Sequence, residues 1–231
     1  MPRGAQLPEK GLAKARPATW KAGTVLYRVH HAKWDPDAFN PEPQDPHFGG
    51  YRFGPTRKDS YSTLFAAPLQ ATALNETLVR GLSFAGLDDA GRRLLPRKEV
   101  EGRLLSQVEL TRDVRLVSLM SAPDMAAVAQ TDMWLSSSDA TEYAFTRRWG
   151  DWLRSEADWA DGFVWRSRFD SPRTALVLFG SPEGSDLVGP TGHPSAPLDD
   201  KPGIRRVNRL LARYRAVIAP PSDDDPVMTR S

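Results

Sequence analysis

Three polar side chains interrupt apolar stretches of the chain: Arg28 in "LYRVH", Glu76 in "ATALNETLV" and Ser167 at the end of "GFVWRSR". These are residue types that do chemistry. A guanidinium grips anionic oxygens through paired, charge-assisted hydrogen bonds. A carboxylate stabilises developing positive charge, and a hydroxyl offers one donor and two acceptor lone pairs. Each also has a plain structural reading. Arg28 could face outward from an edge strand, and Ser167 could mark a strand reaching the surface. Glu76 lies four residues before Arg80, the favourable order for a helical ion pair.

The familiar short signatures are missing. There is no GxxxxGK[ST], no GxGxxG after a strand, no HExxH and no GxSxG. The four histidines, at 30, 31, 47 and 193, show no metal-ligand spacing, and the pair His30-His31 reads as a strand leaving its sheet. No cysteine is present, which removes a disulfide framework, a Cys-ligated zinc and a cysteine nucleophile together, and fits a reducing cytoplasm.

With 31 Lys and Arg against 29 Asp and Glu, the net charge is +2, and no segment carries a dense basic cluster. Direct nucleic-acid binding is therefore not expected. No run approaches the roughly 20 apolar residues needed to cross a bilayer, and the N-terminus lacks an apolar signal region. The expectation is a cytoplasmic protein with no membrane contact. Its 231 residues suffice for one sizeable core. Residues 1–20 and 219–231 are poor in packing residues, so the expected organisation is a loose N-terminal segment, a domain over 21–218 and a loose C-terminal tail.

The elements that must position the three side chains can be read from periodicity. "TVLYRVH" alternates, with Val25, Tyr27 and Val29 on one face and Leu26, Arg28 and His30 on the other. From Trp34 to Lys58 the chain is rich in Pro, Gly and Asp and reads as a long ordered loop, a kind of segment more often functional than decorative. "STLFAA" fits a short strand, and after Pro68 "LQATALNETLVRGL" fits a helix. Residues 104–119 suggest two strands around Thr111–Asp113. Asp139 and Glu142 form an N-cap signature before a stripe of Phe145, Trp149, Trp152 and Leu153. "GFVWRSR" and "TALVLF" read as two more strands, and "IRRVNRLLARYRAVI" as a helix whose end could be a strand. The fold class is α+β, with strands grouped by hairpins rather than regular βαβ alternation.

"LYRVH", "ATALNE" and the "DGFVWRSR…ALVLF" block, with "YAFTRRWGDWLR" just before it, together resemble the RES domain, named for a conserved Arg, Glu and Ser. The similarity runs from about Thr24 to Phe179, and it places the three family residues on Arg28, Glu76 and Ser167. The resemblance implies an ADP-ribosyltransferase-like core of small β-sheets flanked by helices. It implies the toxin of a bacterial toxin–antitoxin pair whose partner is a helix-turn-helix antitoxin. It implies cleavage of the nicotinamide–ribose bond of NAD, as phosphorylase or glycohydrolase, with inorganic phosphate or water as acceptor. NAD would be substrate rather than cofactor, and no metal is expected. A protein ADP-ribosyltransferase, or an inactive interaction module of the same fold, is the alternative; a homo-oligomer is left open.

On that reading Arg28, and Arg52 in the "YRFGP" loop, would hold the pyrophosphate, while Glu76 would sit beside the ribose and favour an oxocarbenium-like state. Ser167 would fix the nicotinamide ribose, and Arg168 could assist at phosphate. In one place the sequence departs from the family. Where an "LYxA" pattern is frequent, "LFAA" has Phe65, which keeps a ring for nicotinamide but lacks a phenol. Tyr61, four residues earlier, could supply that hydroxyl.

Overall fold

The computed structural model describes residues 6–45 and 47–220. In chain order the elements are β1 (Pro17–Trp20), β2 (Val25–His31), β3 (Ser62–Ala66), α1 (Gln70–Leu74), β4 (Arg93–Leu95), β5 (Arg103–Leu110) and β6 (Val114–Leu119). Then come α2 (Ala122–Ala127), α3 (Trp134–Ser137), α4 (Tyr143–Glu156), β7 (Gly162–Arg166), β8 (Thr174–Gly180), β9 (Val188–Pro190), β10 (Ala196–Pro197), α5 (Lys201–Leu211) and β11 (Ala216–Ile218). This is a mixed α+β fold of small sheets flanked by helices.

One sheet has the order β1-β6-β7-β8-β3; a second runs β10-β5-β2, with β9 also on β5; β4 and β11 form a short parallel pair. Between the two larger sheets lies an apolar layer of Leu26, Leu64, Val108, Leu110, Leu116, Val164 and Leu178. A second layer joins α4 to the five-stranded sheet through Trp149, Leu153, Val117, Phe163 and Val177. The third packs α1 and α5 against the second sheet through Leu74, Leu78, Leu105, Val207 and Leu211, with Tyr27 and Val29 at its edge. Strand β2 thus buries both faces, and its alternation matches the sequence reading: Leu26, Arg28 and His30 are the buried set.

Several expectations are corrected. Strands β5 and β6 do not pair with each other but lie in different sheets, because Val108, Leu110, Val114 and Leu116 all enter the layer between those sheets. Strands β6 and β7 are parallel, from Leu116↔Gly162 to Leu119↔Trp165, so the helices between them form a crossover rather than a hairpin connection. That path lays the aromatic stripe of α4 onto the sheet. His30 and His31 do not leave the sheet; they pair with Leu104 and Arg103. Residues 17–20, expected to be loose, form β1 along β6. Residues 221–231 of the expected tail lie outside the described residues.

Other readings hold. Asp139 and Glu142 form a reciprocal capping box before α4. β7 and β8 are an antiparallel pair. The final helix stops at Leu211; Arg215 takes a left-handed conformation (φ 51°), and Ala216–Ile218 then runs as a strand beside β4. Among the described residues no helix is long and apolar enough to cross a membrane.

Candidate active site

The loop between β2 and β3 has almost no regular structure, so its buried carbonyls need partners from elsewhere. Buried arginines provide many of them. Arg28 Nη1 donates to the carbonyls of Pro36 (2.9 Å) and Ala38 (2.6 Å). From α4, Arg147 Nη1 donates to Gly49 (2.7 Å) and Tyr51 (3.3 Å), and its Nη2 donates to the Asp45 carbonyl. Arg52 is turned the other way: Nε and Nη2 donate to the hydroxyl and carbonyl of Ser138, at 3.2 and 3.1 Å. Phe53 is fully buried, edge-on to Phe163 and Trp165. A Cβ at Gly150 of α4 would lie 3.2 Å from the Phe53 ring, so the glycine leaves room for the loop to dock.

This loop, β2, β3, the α1 region and the ends of β7 and β8 enclose a cleft of about 640 Å³. Of the residues singled out from sequence, Arg28, Arg52, Phe65 and Glu76 line it together. The α1 helix continues as a single wide π turn over Asn75–Val79, and Glu76 lies within it. Such one-turn π segments within helices concentrate at functional sites. Leu74, Leu78 and Val79 anchor the turn in the third core layer.

The sequence reading missed the aromatic wall. Tyr51, Tyr143 and Trp165 line the cleft beside Phe65. The Tyr51 and Phe65 rings lie 5.4 Å apart, and Phe65 meets Trp165 edge-on at 6.4 Å. Arg80 stands over Tyr51 and Tyr143, at 5.5 and 5.9 Å. The signal available in the sequence was the adjacency of Tyr51 to Arg52 within a loop already marked as functional. Trp165 serves both core and cleft.

Three polar atoms on the lining are buried without a hydrogen-bond partner: Arg28 Nε, Glu76 Oε1 and Trp165 Nε1. Buried groups of this kind are costly in a folded protein and point to a ligand or a functional strain. Burial lowers the Arg28 guanidinium to about 10, partly offset by Asp37 and Tyr51, so it stays cationic at neutral pH. Arg52 is also shifted down by burial, with Tyr143 and Glu76 opposing the shift. His30, which also lines the cleft, is lowered to about 4 by burial and then by Arg28, and is neutral at pH 7. Among the described residues no cluster of three or more His, Cys, Asp or Glu could hold a metal ion.

Ser167, Tyr61 and Arg168 do not join this lining. The Ser167 hydroxyl, 1% exposed, accepts the backbone N–H groups of Phe169 (3.3 Å) and Asp170 (3.1 Å) in the β7–β8 turn. Tyr61 donates its phenol to the Phe53 carbonyl at 3.1 Å, and burial pushes that phenol well above its ordinary value. Arg168 is exposed, its guanidinium 5.7 Å from the Phe169 ring. Strand β7 ends at Arg166, and Ser167, one residue beyond it, turns its hydroxyl into the β7–β8 turn instead of following Trp165 to the cleft.

The RES domain family model matches residues 25–199, a span that contains Arg28, Glu76 and Ser167. The chain belongs to the RES domain family. Among solved structures, the crystal structure of the M.tuberculosis MbcT-MbcA toxin-antitoxin complex has a similar chain. Identity is 14% and the TM-score 0.48, over 77% of this chain and 85% of that one. No curated protein matches the sequence. Within the span that the family model matches, Arg28 and Glu76 meet in one cleft, and Ser167 lies outside its lining.

Proposed function

We propose that this RES domain is an NAD-degrading toxin that cleaves the nicotinamide–ribose bond, with phosphate or water as acceptor. The observation that carries the reading is Glu76, whose Oε1 is buried without a partner in a cleft walled by two buried arginines and by aromatic rings. Such a cleft suits a substrate with anionic phosphates, a sugar and a flat ring.

The roles follow from the side chains. Arg28 and Arg52 supply fixed positive charge toward the pyrophosphate; both already spend donors on carbonyls or a hydroxyl, so their positions are set before substrate arrives. Phe65, Tyr51 and Trp165 offer ring faces and edges to nicotinamide. As the C–N bond lengthens, its electron pair passes to the pyridinium nitrogen and positive charge grows on the ribose. The Glu76 carboxylate favours that state over the ground state. An oxygen of phosphate or water then bonds to the ribose carbon. Family membership supports a helix-turn-helix antitoxin as partner.

The test is incubation of purified protein with NAD, with and without phosphate, and identification of products by mass spectrometry. Nicotinamide with a phosphorylated or free ADP-ribose supports the reading. Labelled protein would instead favour an ADP-ribosyltransferase, and an intact NAD pool an interaction module.

A further inference from the structure

Ser167 is absent from the cleft lining, yet its surroundings lead back to Glu76. Its hydroxyl accepts the N–H of Asp170, and its own N–H and the Asp170 carbonyl both bond Arg173, closing a tight turn between β7 and β8. The turn fixes Asp170, whose carboxylate accepts a 2.5 Å hydrogen bond from the hydroxyl of Thr72. Thr72 is fully buried in α1, four residues before Glu76. Tyr214 flanks the same carboxylate; burial first, and then Asp170, push its phenol up to about 12.

This contact joins residues 98 apart in sequence and adds a polar tether, one turn upstream of Glu76, to the apolar anchoring by Leu74, Leu78 and Val79. Leu69 caps α1 without any side-chain hydrogen bond, and the regular helix lasts only from Gln70 to Leu74 before the π turn begins. A wide turn can relax to an ordinary one by slipping a residue, and that slip would carry Glu76 around the helix axis by about 100°. A hydroxyl–carboxylate bond one turn upstream opposes such rotation.

We propose that Thr72 and Asp170, with Ser167 shaping the turn, are positioning residues that lock the helix bearing Glu76 into the register that presents its carboxylate to the cleft. The proposal rests on the reading of Glu76 as the charge-stabilising group. It gives Ser167 a role that requires no contact with substrate.

The experiment compares Thr72→Val, which removes the hydroxyl at nearly constant shape, with Thr72→Ser, which keeps it. Two readouts are taken: nicotinamide release, resolved into kcat and KM, and amide hydrogen exchange of residues 70–79. Thr72→Val should lower kcat roughly ten- to hundredfold, the scale of a 1 Å misplacement, with KM changed less than about threefold. Exchange across 70–79 should accelerate in the same variant, and Thr72→Ser should restore both. Asp170→Ala should reproduce the valine phenotype. Wild-type turnover with an unaffected Thr72→Val kcat, or unchanged exchange in that variant, overturns the lock. If wild type releases no nicotinamide, the proposed reaction fails, and the exchange measurement alone decides whether the tether holds the helix.

Discussion

Arg80 follows Glu76 by four residues on one helical segment, yet the two form no ion pair; the Arg80 guanidinium stands over the Tyr51 and Tyr143 rings instead. The carboxylate is thereby left uncommitted, and the arginine reinforces an aromatic wall of the cleft. A surface helical pair would have contributed only about 0.3–0.5 kcal/mol.

Glu76→Gln is the first test of that arrangement. It keeps the shape and removes the charge that stabilises an oxocarbenium-like state, so kcat should fall about a hundredfold or more while NAD affinity survives. Calorimetric binding alongside nicotinamide release checks this, and equal turnover by both proteins excludes the carboxylate from the role.

Tyr61 and Phe65 separate stability from activity. Tyr61→Phe deletes the bond to the Phe53 carbonyl, and neither residue lines the cleft, so it should cost about 1 kcal/mol in denaturant melts and leave turnover unchanged. Phe65→Tyr adds a phenol to the cleft and should raise nicotinamide release without loss of fold stability. A fall in activity for Tyr61→Phe would return that hydroxyl to the site.

Asp151 gives a pH prediction. Burial first, and then the Asp59 carboxylate beside it, raise it to about 7, against about 4 for an ordinary aspartate. The folded state therefore holds this proton more tightly than the unfolded chain, and stability from this group declines as pH rises from about 4 to about 7. Asp151→Asn should flatten that slope and gain about 1 kcal/mol at pH 8. Thermal melts from pH 5 to 8 measure it; parallel curves for the two proteins would contradict the shift.

Arg147 should prove structural. Removing its guanidinium leaves the carbonyls of Asp45, Gly49 and Tyr51 without this donor, so Arg147→Ala should destabilise by about 2–4 kcal/mol and expose residues 44–56 to protease. Intact loop protection in the variant would assign the anchoring to Arg52 and to Thr146, whose hydroxyl donates to the Arg52 carbonyl.

The sequence made the site legible where local periodicity and residue type agree. Alternation grouped Arg28 with Leu26 and His30 on one face of β2, and the early proline and good helix formers placed Glu76 on the helix after Pro68. Side chains whose fate depends on distant partners were not legible. Nothing local in "RSRFD" says that Ser167 turns inward to cap its own turn, since that depends on how β8 returns beside β7. Tyr61 likewise followed the loop to Phe53 rather than the strand to Phe65. The pairing of β6 with β7 instead of β5 arises because one apolar layer serves two sheets, a choice invisible to any window of ten residues.

The walls of the cleft are gathered from Arg28 through Leu176, and the Trp165 and Ala175 side of it belongs to the β7–β8 hairpin, one of the later parts of the domain to be made. A chain emerging from the ribosome carries Arg28, Arg52 and Glu76 long before it can enclose anything with them, because nonlocal strand pairing must come first. The cleft can therefore close only after the β7–β8 hairpin has been made. On the proposed reading, a domain that cleaves NAD would have no assembled site until that hairpin has emerged, and an antitoxin would have that interval in which to meet it.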